Sequence, residues 1–228
     1  MDLPMFARRP SARIVSAMSL VGVALVAAAP VAAAEGGGAT PIGQLALSAR
    51  LAEWGRADRN PLALIVAAEI RRRSSVKTVE RTPEQSGEAS AAAVPAVEAT
   101  ADGLLAEAEA LAPKDPTIRA LADDVRGTAT KGLVAGVGVS RSTLKGAGTD
   151  WYRKLRFEGS RYAEAYVELS GRGTVHVSVY DEAGNLVCRD PNPSSVAYCG
   201  WMPSKTATFD VKVENQSTLA VPYRMFTN

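Results

Sequence analysis

Histidine is almost absent from this chain: His176 is the only one in 228 residues. Cysteine is nearly as scarce, with Cys188 and Cys199 alone. A zinc centre draws four ligands from Cys, His and acidic side chains. A metal reading is therefore short of ligands, and no cofactor is expected. A serine–histidine arrangement would have to use His176, and no G-x-S-x-G elbow is present. The glycines of "GLVAGVGVS", residues 132–140, lack the Gly-Lys-Ser/Thr ending of a phosphate loop. Excess charge is missing too. The chain has 26 basic and 24 acidic residues, but residues 1–34 hold Arg8, Arg9 and Arg13 against Asp2 alone, which leaves 23 of each sign beyond them. A neutral chain without a Lys/Arg stripe argues against nucleic acid or anionic lipid as a partner.

The one long apolar run, "IVSAMSLVGVALVAAA", starts at Ile14, after those arginines. Ala32 and Ala34 then offer small residues before a cut at Glu35. That order predicts a secretory signal peptide over residues 1–34. The alternative, an uncleaved anchor, is disfavoured because the run falls short of the roughly 20 residues a span needs. The expected location is periplasmic or secreted, with no stable membrane span after cleavage. In an oxidising compartment two cysteines most simply pair. Closing a loop this short stabilises by about 3 kcal/mol in the chain-entropy model. Free thiols or a metal site are the alternatives.

The rest divides into two parts. Residues 41–75 and 100–126 read as helical hairpins, with residues 76–99 as a linker. In the first hairpin Ile42, Leu45 and Ala49 recur at helical spacing, as do Leu47, Leu51 and Trp54. Asn60-Pro61 and Asp115-Pro116 each place a capping residue before a proline at the first helical position. "LALIVAAEI" is apolar nearly all round, which predicts a helix buried on most sides, and Arg71, Arg72 and Arg73 read as its solvated end. Over residues 133–228 the period becomes two. Val175, Val177 and Val179 share one strand face; Phe209, Val211 and Val213 share another. Short strands divided by turns at "SGRG", "DEAGN" and "VENQS" predict an antiparallel β-sandwich, jelly-roll-like. The fold class is α+β: a small helical bundle followed by that sandwich. Cys188 and Cys199 are expected on neighbouring antiparallel strands, with Trp201 in or over the core.

Within residues 151–228 a family is visible. A strand is followed by D-E-x-G-N-L-V and C-x-D. A second cysteine, W-x-P, an alternating strand ending in V-x-N and a terminal Y-x-x-x-T-N complete the set, as in "VHVSVYDEAGNLVCRD" and "YCGWMPSKTATFDVKVENQSTLAVPYRMFTN". In that order these motifs resemble the bacterial pre-peptidase C-terminal domain. The resemblance implies a compact, non-catalytic β-sandwich appended to exported proteins. Relatives often carry aspartates where this chain has Thr174, His176 and Ser178, which thins any acidic calcium cluster. Asp181, Glu182 and Asn185 remain, and they suit a turn.

A triad of His176, Ser178 and Asp181 is conceivable, but adjacent strand positions give poor in-line geometry. One contact patch is a candidate: Tyr162, Tyr166, His176 and Tyr180, on the polar faces of strands; the alternative is that these side chains pack under loops or against the helices. The expectation is an exported, non-catalytic envelope protein whose sandwich binds a protein or cell-surface partner or stabilises the fold. The alternative is a periplasmic or secreted hydrolase with its site between the two parts.

Overall fold

The computed structural model describes residues 40–88, 98–128, 137–192 and 194–228. The expected signal peptide lies outside these residues, as do 89–97 of the expected linker. Four helices form, α1 (Pro41–Ala57), α2 (Pro61–Arg73), α3 (Ala101–Leu111) and α4 (Pro116–Gly127), and α2 and α4 start at the two expected caps. Asn60 accepts from the Leu62 and Ala63 amides, and Asp115 from those of Thr117 and Ile118, so each cap satisfies amides that have no carbonyl partner in the helix. Ala52, Leu64, Ala68, Leu104, Leu105, Ile118 and Ala122 make the core of this bundle. α2 is less enclosed than its composition predicts, for Leu62 and Val66 face solvent.

Ten strands make two five-stranded sheets. Sheet A runs β1 (Lys77–Thr78), β3 (Gly138–Leu144), β10 (Val221–Thr227), β5 (Ala163–Leu169), β8 (Val196–Trp201). Sheet B runs β2 (Glu84–Glu88), β4 (Gly146–Phe157), β9 (Ala207–Asn215), β6 (Val175–Tyr180), β7 (Leu186–Arg189). All pairings are antiparallel except β1 with β3. Apart from the β6–β7 hairpin, which stays in sheet B, strands β3 to β10 alternate between the sheets, in jelly-roll order. Val175, Val177, Val179, Val211 and Val213 meet Ala165, Val167 and Met225 in the inter-sheet core, and Trp201 joins them against Phe157 and Phe209.

Three features differ from the sequence reading. Residues 77–88 are not linker: β1 joins the edge of sheet A and β2 the edge of sheet B, so this segment straps one side of the sandwich. Its polar side chains do the holding. Arg81 donates to Ser140 and Thr227, and the Gln85 amide donates to the fully buried Asp150. Asp150 also accepts from Tyr223 Oη at 2.7 Å and from Ser142 Oγ at 3.1 Å. Second, Cys188 and Cys199 are bonded, with Cα atoms 5.8 Å apart, but β7 and β8 belong to different sheets. The disulfide therefore clasps the two sheets at the edge opposite the strap. Third, Arg71 is not a solvated helix end. It is buried and forks onto Glu168 of β5 at 2.6 and 3.3 Å.

Helices and sandwich pack as one unit. Ile42, Leu45, Ala46 and Ala49 of α1 lie on the outer face of sheet A, against Val139, Tyr166, Val196 and Phe226. This is why β5 is buried at every position instead of alternating. Thr40 caps α1 and donates to Glu164 Oε1 at 2.7 Å, and Tyr198 Oη donates to the same oxygen at 2.7 Å. Arg224 shares Glu168 with Arg71 and also meets Glu98, which pairs with Arg141.

Candidate functional site

The four residues of the expected contact patch do not meet. Tyr166 lies fully buried under α1, stacked on Phe226 at 5.4 Å between ring centres. Burial pushes its hydroxyl well above the usual tyrosine range. Tyr162 is 38% exposed and belongs to the same side of the molecule, with its hydroxyl 3.5 Å from that of Tyr198. His176 and Tyr180 stand on β6, in the other sheet. Strand alternation placed all four on outer faces. It could not tell that two outer faces are involved, one of them covered by a helix.

The residues that do gather are on the outer face of sheet B. Parity along β4 turns Tyr152 into the core and Trp151 outward. The Trp151 ring reaches to within 5.5 Å of the Tyr180 ring, centre to centre, over β9. The Arg153 guanidinium sits 4.0 Å from the indole centre, and Lys212 Nζ lies 5.5 Å from it. Arg153 in turn bonds Glu84 at 2.9 Å and Asp210 at 2.8 Å, contacts that hold its guanidinium protonated beyond its ordinary range. Lys154 adopts a left-handed conformation, φ 54°, where the β4 register slips, and its amide donates to Asp210. That slip is the defect in "WYRKLRFEG", and it lets Arg153 fold back over Trp151. His176 lies opposite Glu214 on this face, half-buried. The sequence reading missed Trp151, Arg153 and Lys212, although the outward parity of Trp151 and Lys212 was available in the alternation around Tyr152, Val211 and Val213.

The triad is not assembled. Asp181 is spent on its turn, accepting from the Ala183 and Asn185 amides and from Asn185 Nδ2, bonds that hold its carboxyl below the usual range; Gly184 supplies the left-handed corner at φ 83°. Ser178 Oγ is buried without a partner among the described residues. No cluster of Asp, Glu, His or Cys among those residues is placed to hold a metal ion. A groove of 540 Å³ does run between α1, α3 and the end of β5, lined in part by Glu53, Arg56, Glu107, Glu168 and Arg172. Arg56 and Glu107 pair across it, and Ser195 Oγ donates to Glu53. His176, on the outer face of sheet B, is not among its lining residues.

No family model matches the chain, and no curated protein matches its sequence. Among solved structures it is similar to a mitogen from Yersinia pseudotuberculosis, at 13% identity and TM-score 0.30 over 42% of this chain and 86% of that one. It is also similar to PliG of Aeromonas hydrophila, a periplasmic inhibitor of g-type lysozyme, at 12% identity and TM-score 0.33 over 42% and 89%. The C-terminal carbohydrate-binding module of the Zobellia galactanivorans laminarinase LamC matches at 14% and TM-score 0.25 over 40% and 88%. Likenesses this faint carry no argument, and the fold assignment rests on the strand order itself. No helix among the described residues is long and apolar enough to cross a membrane.

Proposed function

We propose that this chain is an exported, non-catalytic binding protein. Its jelly roll presents the outer face of sheet B to a protein or cell-surface partner, while the helical bundle covers sheet A. The resemblance to the pre-peptidase C-terminal domain agrees with that role. The observation that carries the reading is the Trp151–Tyr180 pair, roofed by Arg153, on a sheet face over which no described element packs. Aromatic and arginine side chains are the residue types that dominate binding energy at interfaces. Arg153 and Lys212 add charge that a partner's carboxylates can meet once the partner displaces Glu84 or Asp210 from Arg153 and Glu214 from Lys212. The disulfide agrees with an oxidising compartment. The hydrolase alternative would have to work from the groove beside α1, where Ser195 and Glu53 have neither histidine nor free thiol beside them among the lining residues.

The test is retention on the native cell envelope, comparing the wild type with a W151A/Y180A variant whose fold is checked by its melting curve. The wild type is retained and the variant is lost to at least about tenfold, the loss of one interface anchor of about 1.4 kcal/mol or more. Equal retention of the two contradicts the proposal.

A further inference from the structure

Residues 77–88 leave the helical bundle after α2 and lie along one edge of each sheet, β1 on β3 and β2 on β4. None of these twelve residues is buried, and none belongs to an apolar core. Their backbone pairing is short: β1 has two residues, and the β2 ladder slips between Ser86 and Glu88. An element with few buried apolar contacts opens at a lower free energy than the core strands beside it. Two charges lie at this junction among neutral partners. Arg81 donates to the hydroxyls of Ser140 and Thr227, and Asp150 accepts from Gln85, Ser142 and Tyr223. Taking a charge out of water without a counter-charge is costly, and burial lowers the Arg81 guanidinium from its ordinary range. Lifting the segment returns Arg81 to water and admits water to Asp150, which offsets part of the lost pairing. The segment is also tied to the Trp151 face. Glu84 stands opposite Trp151 in the β2–β4 ladder, and its carboxylate bonds Arg153 at 2.9 Å.

We propose that residues 77–88 are a releasable strap with an autoinhibitory contact: while the strap is closed, Glu84 occupies the Arg153 guanidinium that a partner's carboxylate would take. This rests on the reading of sheet B as the partner face and supplies the regulation of that face. A partner carboxylate that takes Arg153 removes the ion pair tying β2 to the face, and the strap then lifts more readily. Linked equilibria are reciprocal, so an open strap raises the affinity for the partner by the same factor. The Glu84–Arg153 pair is exposed, which sets that factor at about two- to fivefold. Asp210 stays on Arg153 in both states and keeps the guanidinium over Trp151.

The test is residue-resolved amide hydrogen exchange on the whole chain, followed by envelope retention of the same variants. The bonded amides of Lys77 and Val79 and those of β2 are expected to exchange at least about a hundredfold faster than those of β6 and β9. E84Q speeds strap exchange a further two- to fivefold or so. S86C/T149C, a staple across a directly paired position of β2 and β4, suppresses the fast exchange of β2. Mass mapping checks that the staple has formed and that Cys188–Cys199 is kept. On the envelope E84Q is held about two- to fivefold more tightly than the wild type, and the stapled chain less tightly. Strap amides that exchange no faster than those of β9 overturn the inference, whatever the retention. Fast strap exchange with E84Q and the stapled chain retained as the wild type is, while W151A/Y180A is lost, also overturns it and leaves the sheet B reading standing. Retention that ignores W151A/Y180A overturns the sheet B reading and the regulation with it, a failure told apart by strap exchange that is still fast.

Discussion

The outer faces of the two sheets begin from the same alternation of apolar and polar positions, and the molecule treats them in opposite ways. On sheet A the outward positions of β5 are Glu164, Tyr166 and Glu168, and all three are buried. They receive Thr40, the apolar stripe of α1 and Arg71. On sheet B the outward positions of β6 and β9 include His176, Tyr180, Asp210 and Lys212, all half-exposed; Tyr180 and Lys212 lie against Trp151, Asp210 pairs with Arg153 and Lys212 with Glu214. An outward polar residue thus has no fixed meaning in a sandwich strand. Its value depends on whether another element comes to lie over it. Where one does, a carboxylate such as Glu168 becomes a buried ion-pair centre. Where none does, the same parity leaves the Trp151–Tyr180 pair on an uncovered face.

The comparison breaks most violently at Glu168. Its removal in E168Q leaves Arg71 and Arg224 buried without their shared carboxylate. A loss of about 3–5 kcal/mol is expected, read as a lowered urea midpoint. The covered face is weakened next by L45A, which opens a hole between α1 and sheet A. The expected cost is about 2–3 kcal/mol, at the lower end for such truncations because α1 can settle toward the sheet. The interior beneath both faces answers to alkali. Burial pushes the Tyr152 hydroxyl up to about 12, and Tyr223, bonded to it at 2.8 Å, is raised as well. The folded state then holds a proton that the unfolded chain releases near pH 10. The contribution is complete below pH 10 and is lost as pH climbs through about 12, on the order of 2 kcal/mol for Tyr152. Denaturation midpoints between pH 9 and about 12 check this, and midpoints that rise with pH would refute it. On the open face W151A/Y180A should lower stability by only about 1 kcal/mol while abolishing partner binding. R153A should change stability by about 0.2–1 kcal/mol, for its ion pairs are exposed.

Much of the fold can be read along the chain because local chemistry decides it. Asn60-Pro61 and Asp115-Pro116 start helices wherever they occur, and the valines of β6 and β9 point inward under any sandwich topology. The rest depends on neighbours that the chain order does not reveal. Of three consecutive arginines, only Arg71 finds a buried carboxylate, 97 residues away. The strand Glu84–Glu88 is exposed throughout, so it carries no apolar alternation to mark it, and Gln85 acts only because Asp150 waits in the core. Cys188 and Cys199 are near in sequence and bonded, yet chain proximity says nothing about which sheet each strand joins. The candidate site follows the same rule. Tyr180 was legible as outward-facing, but its partner Trp151 comes from a strand two places across the sheet, and the kink at Lys154 that brings Arg153 over the ring looks in sequence like a flaw in the pattern.

Three tryptophans report on three places: Trp54 is 51% exposed on α1, Trp201 is buried in the sandwich, and Trp151 lies on the outer face of sheet B. Single-tryptophan chains that retain either Trp151 or Trp54, with the others replaced by phenylalanine, separate the two faces by acrylamide quenching with and without native envelope. If sheet B is the face that engages the partner, Trp151 becomes shielded on binding and Trp54 stays as accessible as before. Shielding of Trp54 with Trp151 unchanged would place the contact on the helices and contradict the assignment.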